Sequence, residues 1–313
     1  MTTGTSGTIR AKVRLGDRIF SGSTVVAGSI ILAVLAAVAI FLVSQSIPAF
    51  VAKPGTLPHG AANFWVYVWP LVFGTVWAAA LALVIAVPVA IGVALFISHY
   101  APRRIAPVLG YIVDLLAAVP SVVFGLWGIG VLAPFVQPFY VWLNANVGWF
   151  PLFDGSVSGT ARTILTVAIV LAVMVLPIMT AVCREVFLQT PRLHEEAALA
   201  LGATRWEMIR VAVLPFARPG IISATMLGLG RALGETLAVA MVLSPATVVS
   251  FFLLTTQNPN TIAGNIALQF PEATGVGVNT LIASGLVLFV ITFIVNAIAR
   301  VAVNRRKAFS GAN

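Results

Sequence analysis

The sequence predicts an all-α integral membrane protein that crosses the bilayer six times. Of its 313 residues, 60% are hydrophobic and only 9% are charged, and its mean hydropathy is +1.04. A water-soluble domain of this size could not bury so much apolar surface, so the composition excludes an ordinary soluble domain. Several apolar stretches also reach the roughly 20 residues that a helix needs to cross a hydrocarbon core of about 30 Å.

Six spans account for these apolar stretches. The first is too long for a signal peptide and no convincing cleavage site follows it, so it is predicted to be retained. The transmembrane domain is placed at residues 24–303, between a tail of residues 1–23 and a tail of residues 304–313. The predicted spans are residues 24–47, 68–98, 108–132, 163–183, 219–243 and 279–300.

The distribution of Lys and Arg orients the chain in the membrane. An even number of spans puts both termini on one side, so the 18 basic residues can be counted for each side. Four lie in the N-terminal tail, two in loop 99–107, five in loop 184–218 and four at the C-terminal end, fifteen in all. Lys53 and Arg162 lie on the other side, and Arg231 lies within a span. The positive-inside rule then predicts cytoplasmic termini, and the net charge of +9 requires no nucleic-acid partner.

The predicted external loops are unusual in composition. Residues 48–67 and 133–162 are rich in Pro and Gly and carry aromatic residues at the membrane border. Such aromatics are typical of an interfacial belt, although a docking platform for an external partner stays open. Within the second loop, residues 137–146 are predicted to form a short helix in the plane of the interface. In loop 244–278, the apolar stretch 248–254 is too short to cross, which predicts a re-entrant or surface-lying segment.

The cytoplasmic loop 184–218 is polar and predicts two short helices joined by a glycine turn. Pro191 suits the start of the first helix, acidic residues follow in its first turn, and Gly202 suits its end. The second helix is expected at residues 206–213, stopping before Pro215. Small side chains and the turn would let this loop dock into a groove on another protein. The loop therefore favours a membrane subunit that is driven by a separate cytoplasmic partner.

The fifth predicted span contains two charged residues, Arg231 and Glu235. A charge at mid-bilayer costs on the order of 3 kcal/mol or more, so such residues usually face a pathway or a partner. Arg231 lies roughly 18 Å along a helix from Pro219, and Glu235 is expected one turn further out on the same face. The two would then neutralise each other and leave guanidinium donors for a tetrahedral oxyanion. A purely structural ion pair, or one that bridges to a second subunit, is the alternative.

Motifs for catalysis, metal binding and nucleotide binding are not found. Cys183 is the single cysteine, which excludes an internal disulfide and a cysteine-based metal cluster. The three His lie in loops or at span borders, and no His cluster or nucleophile–base set lies within the spans, so neither a catalytic residue nor a metal site is predicted. The pattern G-x-x-x-x-G-K-[ST] does not occur, so the chain is not expected to hold nucleotide phosphates in a P-loop.

The cytoplasmic loop resembles that of the permease family of ABC importers. Their pattern is Glu-Ala-Ala, three residues, Gly, nine residues and Ile-x-Leu-Pro; in this sequence Ala212 stands at the Ile position. The resemblance implies the architecture of type I importer permeases, with a coupling helix inserted into a cleft of an ATPase subunit. ATP and Mg would then bind to that partner, and this chain would carry no cofactor. The residues in register are Glu196, Ala197, Ala198, Gly202, Leu214 and Pro215.

Two stretches within the spans resemble the phosphate-specific members of that family. Residues 230–239 look like their signature, and residues 120–128 look like the PstC-type subunit in particular. The resemblance implies a substrate pathway through Arg231, Glu235 and Thr236. It also implies a bacterial plasma-membrane heterodimer with a PstA-like permease, served by two PstB-like ATPase subunits and an extracytoplasmic phosphate-binding protein. The expected function is ATP-driven import of inorganic phosphate without covalent catalysis in this chain.

Three alternatives stay open at this stage. The cargo could be sulfate, molybdate or another small solute, a choice that composition does not decide. A stand-alone secondary transporter or channel would need its own energy coupling, and the predicted spans hold only Asp114 and Glu235 as acidic groups. A membrane-embedded enzyme would need a catalytic cluster within the spans, which the sequence does not provide.

Overall fold

The computed structural model describes residues 15–307, which are mostly helical. The basic residues of the N-terminal tail before Leu15, and residues 308–313, lie outside the described part of the chain. In chain order the helices are α1 (Leu15–Phe50), α2 (Phe64–Leu95), α3 (Ala106–Ala117), α4 (Ser121–Trp127), α5 (Ala133–Val147), α6 (Ile164–Leu188), α7 (Arg192–Ala200), α8 (Arg205–Met208), α9 (Leu214–Leu233), α10 (Leu237–Val242), α11 (Ile262–Gln269) and α12 (Val276–Lys307).

Shorter elements connect these helices. Pro58–Gly60 and Phe270–Glu272 form 3-10 turns, and strands β1 (Pro245–Ala246) and β2 (Asn258–Pro259) pair in parallel. Three π-helical turns extend α2, join α4 to α5 and join α8 to α9; they are Phe96–Tyr100, Gly128–Leu132 and Ile209–Val213.

Within the described residues, six helical stretches are long and apolar enough to cross a membrane, so the predicted number of spans is confirmed. Local side chains cap the first residues of two of these spans where the chain enters from a loop. The side chain of Asn63 accepts from Val66 N at 2.9 Å before α2, and that of Thr163 accepts from Thr166 N at 3.3 Å before α6. The stretches are Ile19–Phe50, Phe64–Tyr100, Ser121–Val147, Ile164–Leu188, Arg205–Leu233 and Val276–Val301.

The predicted bounds of the third span were wrong. The chain breaks after Ala118, so α3 is a separate short helix and the span runs over Ser121–Val147. Pro120 explains the break, because its ring disfavours a helical residue before it and it adopts φ −60° and ψ 141°. The predicted interfacial helix at 137–146 is instead the continuation of this span.

Helix α6 lies at the centre of the bundle, packed against α2 and α9. Its most apolar stretch is 67% buried, whereas that of α1, which packs on α12, is 0% buried. Small side chains on α2 and α9 let their backbones approach α6 closely. On α9 these are Gly220, packed against Val186, and Gly228, packed against Met179. On α2 they are the buried residues Ala78, Ala82, Ala86 and Ala90.

The predicted external side is closed by loop 243–261, which is irregular except for the short pairing of β1 with β2. Buried Asn258 ties this loop to the start of α6, because its side chain accepts from Ile164 N at 2.9 Å and donates to Ser244 O at 3.2 Å. Residues 248–254, predicted to be re-entrant or surface-lying, are not helical. They bond instead to the preceding external loop, with Leu253 N donating to Leu152 O at 2.8 Å.

The cytoplasmic loop folds as predicted in its first half. Helix α7 begins after Pro191, and Gly202 follows its end with φ +86°. Gly202 N donates to Leu199 O at 2.9 Å and Ala203 N to Ala198 O at 3.2 Å, which is the Schellman motif that favours glycine at this position.

The second half of the loop differs from the prediction. Thr204 and Glu207 form a capping box that starts α8, but the helix does not stop before Pro215. It passes through the π-helical turn Ile209–Val213 directly into α9. Pro215 lies just after this π-helical turn, and such local π-helical adjustments accommodate a residue that lacks a backbone N–H.

Candidate functional site

The fifth span is a broken helix, and the break carries the charged residues that the sequence analysis singled out. Helix α9 ends at Leu233, residues 234–236 are not helical, and α10 resumes at Leu237. Arg231 lies in the last turn of α9, where its positive charge is favourable beside the negative end of the helix dipole. Broken spans of this kind are a recurrent way to place polar groups at membrane depth in transporters.

Glu235 lies in the break and caps α10. Its Oε1 accepts a hydrogen bond from Ala238 N at 3.0 Å, and the residue is only 8% exposed. A carboxylate at this position is favourable beside the positive end of the α10 dipole. Next to it, the hydroxyl of Thr236 donates to Gly234 O at 3.1 Å.

The predicted pairing of Arg231 with Glu235 is wrong in this structure. No Glu235 oxygen lies within 4.0 Å of an Arg231 nitrogen. The physical reason is Gly234, the residue at which α9 ends, because the four-residue spacing places two side chains on one face only while the helix continues. The two charges are instead each matched to a helix end.

Arg231 is therefore left with free hydrogen-bond donors. The residue is half-buried, and its guanidinium makes no hydrogen bond or ion pair with any residue whose side chain the structure describes. An unpaired guanidinium can bind an oxyanion through its N–H groups.

A second arginine holds the far end of α10. Arg162, just before α6, donates from Nη2 to Met241 O at 3.1 Å and to Leu243 O at 3.2 Å. Its Nε also donates to Val242 O at 3.4 Å. Helix α10 is thus held by a carboxylate at its N-terminal end and by a guanidinium at its C-terminal end. The sequence analysis counted Arg162 only as an external basic residue, because nothing local to residue 162 signals a contact with residues 241–243.

The family residues of the cytoplasmic loop lie on one continuous surface. Helix α7 has no buried residue, and Glu196, Ala197 and Gly202 are exposed. Ala198 and Leu214 are half-buried against the cluster around Met208, Ile209 and Val213, which fixes α7 to the foot of α9, with Pro215 exposed beside it. Exposed apolar side chains border this surface, including Leu201 at 90% and Leu193 at 74% exposure. Such a surface is typical of a docking site for another protein.

A contact that the sequence analysis missed links this surface to the second span. Nε2 of His99, in the π-helical turn that ends the span, lies 3.5 Å from Oε1 of Glu195 on α7. The Nδ1 atom of the same ring lies 2.7 Å from the hydroxyl of Ser98. Local sequence could not have revealed the pair, since its members are almost a hundred positions apart.

Comparison with known families gives one match that spans most of the chain. Residues 86–308 match the family of binding-protein-dependent transport system inner membrane components. The chain is 46% identical over 306 residues to phosphate transport system permease protein PstC 2 of Mycobacterium tuberculosis, covering 92% of this chain and 91% of that protein. It is 51% identical to PstC of Mycobacterium leprae over 209 residues, 66% of this chain and 65% of that one. It is 38% identical to PstC of Mesorhizobium japonicum over 315 residues, 95% and 93% of the two chains.

Solved structures support the fold. A bacterial ABC transporter that imports the acidic polysaccharide alginate aligns with a TM-score of 0.59 and 17% identity, covering 92% of this chain and 99% of that chain. An inward-facing MetNI methionine ABC transporter aligns with a TM-score of 0.52 and 18% identity, covering 76% and 96%. At these identities the likeness concerns the fold alone, and it confirms the predicted architecture of ABC importer permeases.

Proposed function

The chain belongs to the family of binding-protein-dependent transport system inner membrane components, and we propose that it is the translocating subunit of an ATP-driven importer of inorganic phosphate. The observation that carries this proposal is the unpaired guanidinium of Arg231 at the break in the fifth span. The relatives named as phosphate transport permeases support phosphate as the cargo, in preference to sulfate or molybdate.

Arg231 suits a tetrahedral oxyanion better than a lysine would. A guanidinium offers several N–H groups in a fixed plane, which matches pairs of oxygens on one anion. Glu235 is engaged by the backbone of α10, so it does not neutralise Arg231. The hydroxyl of Thr236, at the same break, adds a second polar group near the path. We assign Arg231 as the anion contact, Thr236 as a neighbouring pathway group and Glu235 as the residue that positions α10.

Energy for transport comes from a partner in this proposal. The exposed surface of α7, with Glu196, Ala197, Ala198 and Gly202, inserts into a cleft of an ATPase subunit. Leu214 and Pro215 carry the motion of α7 to the foot of the fifth span, because α8, the π-helical turn and α9 form one unbroken path. ATP and Mg bind to that partner. This chain pairs with a second, PstA-like permease and receives phosphate from an extracytoplasmic binding protein, and two PstB-like ATPases complete the importer.

Reconstitution tests the cargo and the energy source together. The complete complex is placed in proteoliposomes with ATP inside and binding protein outside, and uptake of labelled phosphate is followed. We expect uptake to require internal ATP and to resist an excess of sulfate or molybdate. Uptake driven by an ion gradient without ATP would contradict the proposal, as would equal transport of sulfate.

A further inference from the structure

An open cavity of about 490 Å³ lies beside Arg162 at the predicted external end of the bundle. It is bounded by the junction of α4 with α5 and by the residues that lead into α6. Its volume leaves room for an oxyanion together with several waters, since one water takes about 30 Å³. The lining residues are Ile129, Pro134, Gln137, Gly159, Thr160 and Arg162.

The polar groups of this cavity retain hydrogen-bonding capacity. Arg162 uses Nε and Nη2 on the carbonyls at the end of α10, whereas Nη1 bonds to no residue between 15 and 307. The side chain of Gln137 has no hydrogen bond to the described residues, and Thr160 has only a long contact of 3.4 Å to Ser158. The cavity thus combines a guanidinium, an amide and a hydroxyl.

The charge of the cavity selects the kind of ligand. No carboxylate lines it, so a metal cation would find none of the charged oxygen ligands that it requires. Asp154, the acidic residue of the same loop, is exposed, and its carboxylate accepts from Gly155 N at 2.7 Å. A guanidinium with an amide and a hydroxyl is a donor set for an oxyanion.

The position of the cavity relative to the break suggests what the anion does there. Arg162 holds the outer end of α10, and the break with Arg231 lies at its inner end. A six-residue helix is roughly 9 Å long, so α10 separates the carbonyls that Arg162 contacts from the break by about that distance.

We propose that this cavity is an outer oxyanion-binding site, where Arg162, Thr160 and Gln137 hold phosphate before it reaches Arg231. This inference rests on the proposed function for the identity of the anion, but not for the existence of the site. Arg162 has a positioning role toward α10 in addition to its contact with the anion.

The single cysteine of the chain makes a direct binding test possible. Cys183 is buried and can be replaced by Ala, after which Gly159→Cys adds one thiol to the cavity wall. A Cβ at Gly159 meets nothing within 4 Å, so this change removes no anion ligand and creates no clash. The matched control is Ser156→Cys, an exposed position in the same loop that does not line the cavity.

The complete complex, whose uptake of labelled phosphate is measured in parallel, is labelled with a small neutral thiol reagent without binding protein. We expect inorganic phosphate to slow labelling at Gly159→Cys severalfold, chloride at equal ionic strength to have no effect, and Ser156→Cys to be insensitive to both.

Thr160→Val combined with Gln137→Leu leaves the contacts of Arg162 with α10 intact. This variant should raise the half-protecting phosphate concentration about tenfold or more, because hydrogen bonds to an anion are lost. Arg162→Gln should abolish protection.

The possible outcomes separate this inference from the proposed function. Intact phosphate uptake without protection at Gly159→Cys, or with equal slowing at Ser156→Cys, would overturn the outer site and leave the proposed function standing. Protection of Gly159→Cys that appears only when the binding protein is added would likewise overturn the outer site. Protection by a different oxyanion in a complex that does not transport phosphate would support the site and overturn phosphate as the cargo.

Discussion

The carboxylate of Glu235 lies 3.0 Å from the backbone nitrogen of Ala238 and caps α10, and it makes no ion pair with Arg231 four residues before it. This relationship changes the expected role of each residue. Glu235 maintains the second half of a broken span, and Arg231 keeps its guanidinium available. Substitution of Glu235 should therefore mainly lower stability, whereas substitution of Arg231 should mainly lower transport.

Replacing Glu235 tests its role as a cap. Glu235→Ala removes the acceptor for Ala238 N, which we expect to cost about 1 kcal/mol, as for other capping residues. Glu235→Gln keeps an acceptor oxygen and should therefore lose less stability than Glu235→Ala. The measurement is the thermal unfolding midpoint of the purified complex, together with uptake. Equal stability of the Ala variant and the unchanged protein would rule out the capping role.

Replacing Gly202 or Glu196 tests the docking surface. Gly202→Asp places a bulky, charged residue at φ +86°, where only glycine is readily accommodated, and Glu196→Lys reverses an exposed charge. We expect both variants to insert into the membrane but to lose ATPase co-purification and most uptake. Ser156→Asp adds the same charge in an exposed external loop and serves as the control. Full assembly and uptake in both variants would exclude this surface from coupling.

Two glycines of α2 offer a matched test of the packing. A Cβ at Gly74 would overlap the backbone carbonyl of Asn260, whereas a Cβ at Gly92 would meet nothing within 4 Å. Gly74→Ala should therefore destabilise the protein by more than about 1 kcal/mol, because backbone cannot move aside cheaply. Gly92→Ala should be neutral or stabilising by up to about 1 kcal/mol, since alanine favours the helix. Equal unfolding midpoints would show that loop 259–260 does not pack against α2.

The orientation of the chain rests on the distribution of Lys and Arg and is tested by accessibility. In the Cys183→Ala background, single cysteines at the exposed positions Ser156 and Gln257 are expected to react with an impermeant reagent from outside. Cysteines at Arg104 and Glu207 are expected to react only after the membrane is permeabilised. External labelling at Glu207 would contradict cytoplasmic placement of the coupling loop.

Local signals account for much of what the sequence predicted correctly. The end of α7 could be predicted because glycine, here Gly202, readily adopts the left-handed backbone conformation that terminates a helix. The number of spans could be predicted because each apolar stretch is long enough to cross a bilayer. The errors in the predicted spans arose where the length of an apolar stretch was given more weight than a residue that interrupts the helix. Pro120 interrupts the predicted third span although the residues before it are apolar, and α9 ends at Leu233, just before Gly234.

The long-range contacts could not be predicted in the same way. Arg162 and Met241 are 79 positions apart, and His99 is similarly distant from Glu195, so only the fold brings these side chains together. The outer cavity consequently had no signature in the sequence. The candidate residues at the break could be named in advance, but their partners could not.

Uptake of labelled phosphate by complexes that carry changes at Arg231 is the most direct test of the central claim, once membrane insertion and subunit assembly have been verified. Arg231→Lys keeps the charge but loses the planar donor set, so uptake should fall about tenfold or more. Arg231→Gln should abolish uptake, and the double variant Arg231→Gln with Glu235→Gln should not recover, because the two residues are not paired. Recovery of the double variant to nearly the phosphate-uptake rate of the unsubstituted complex would contradict the account and place Arg231 outside the phosphate path.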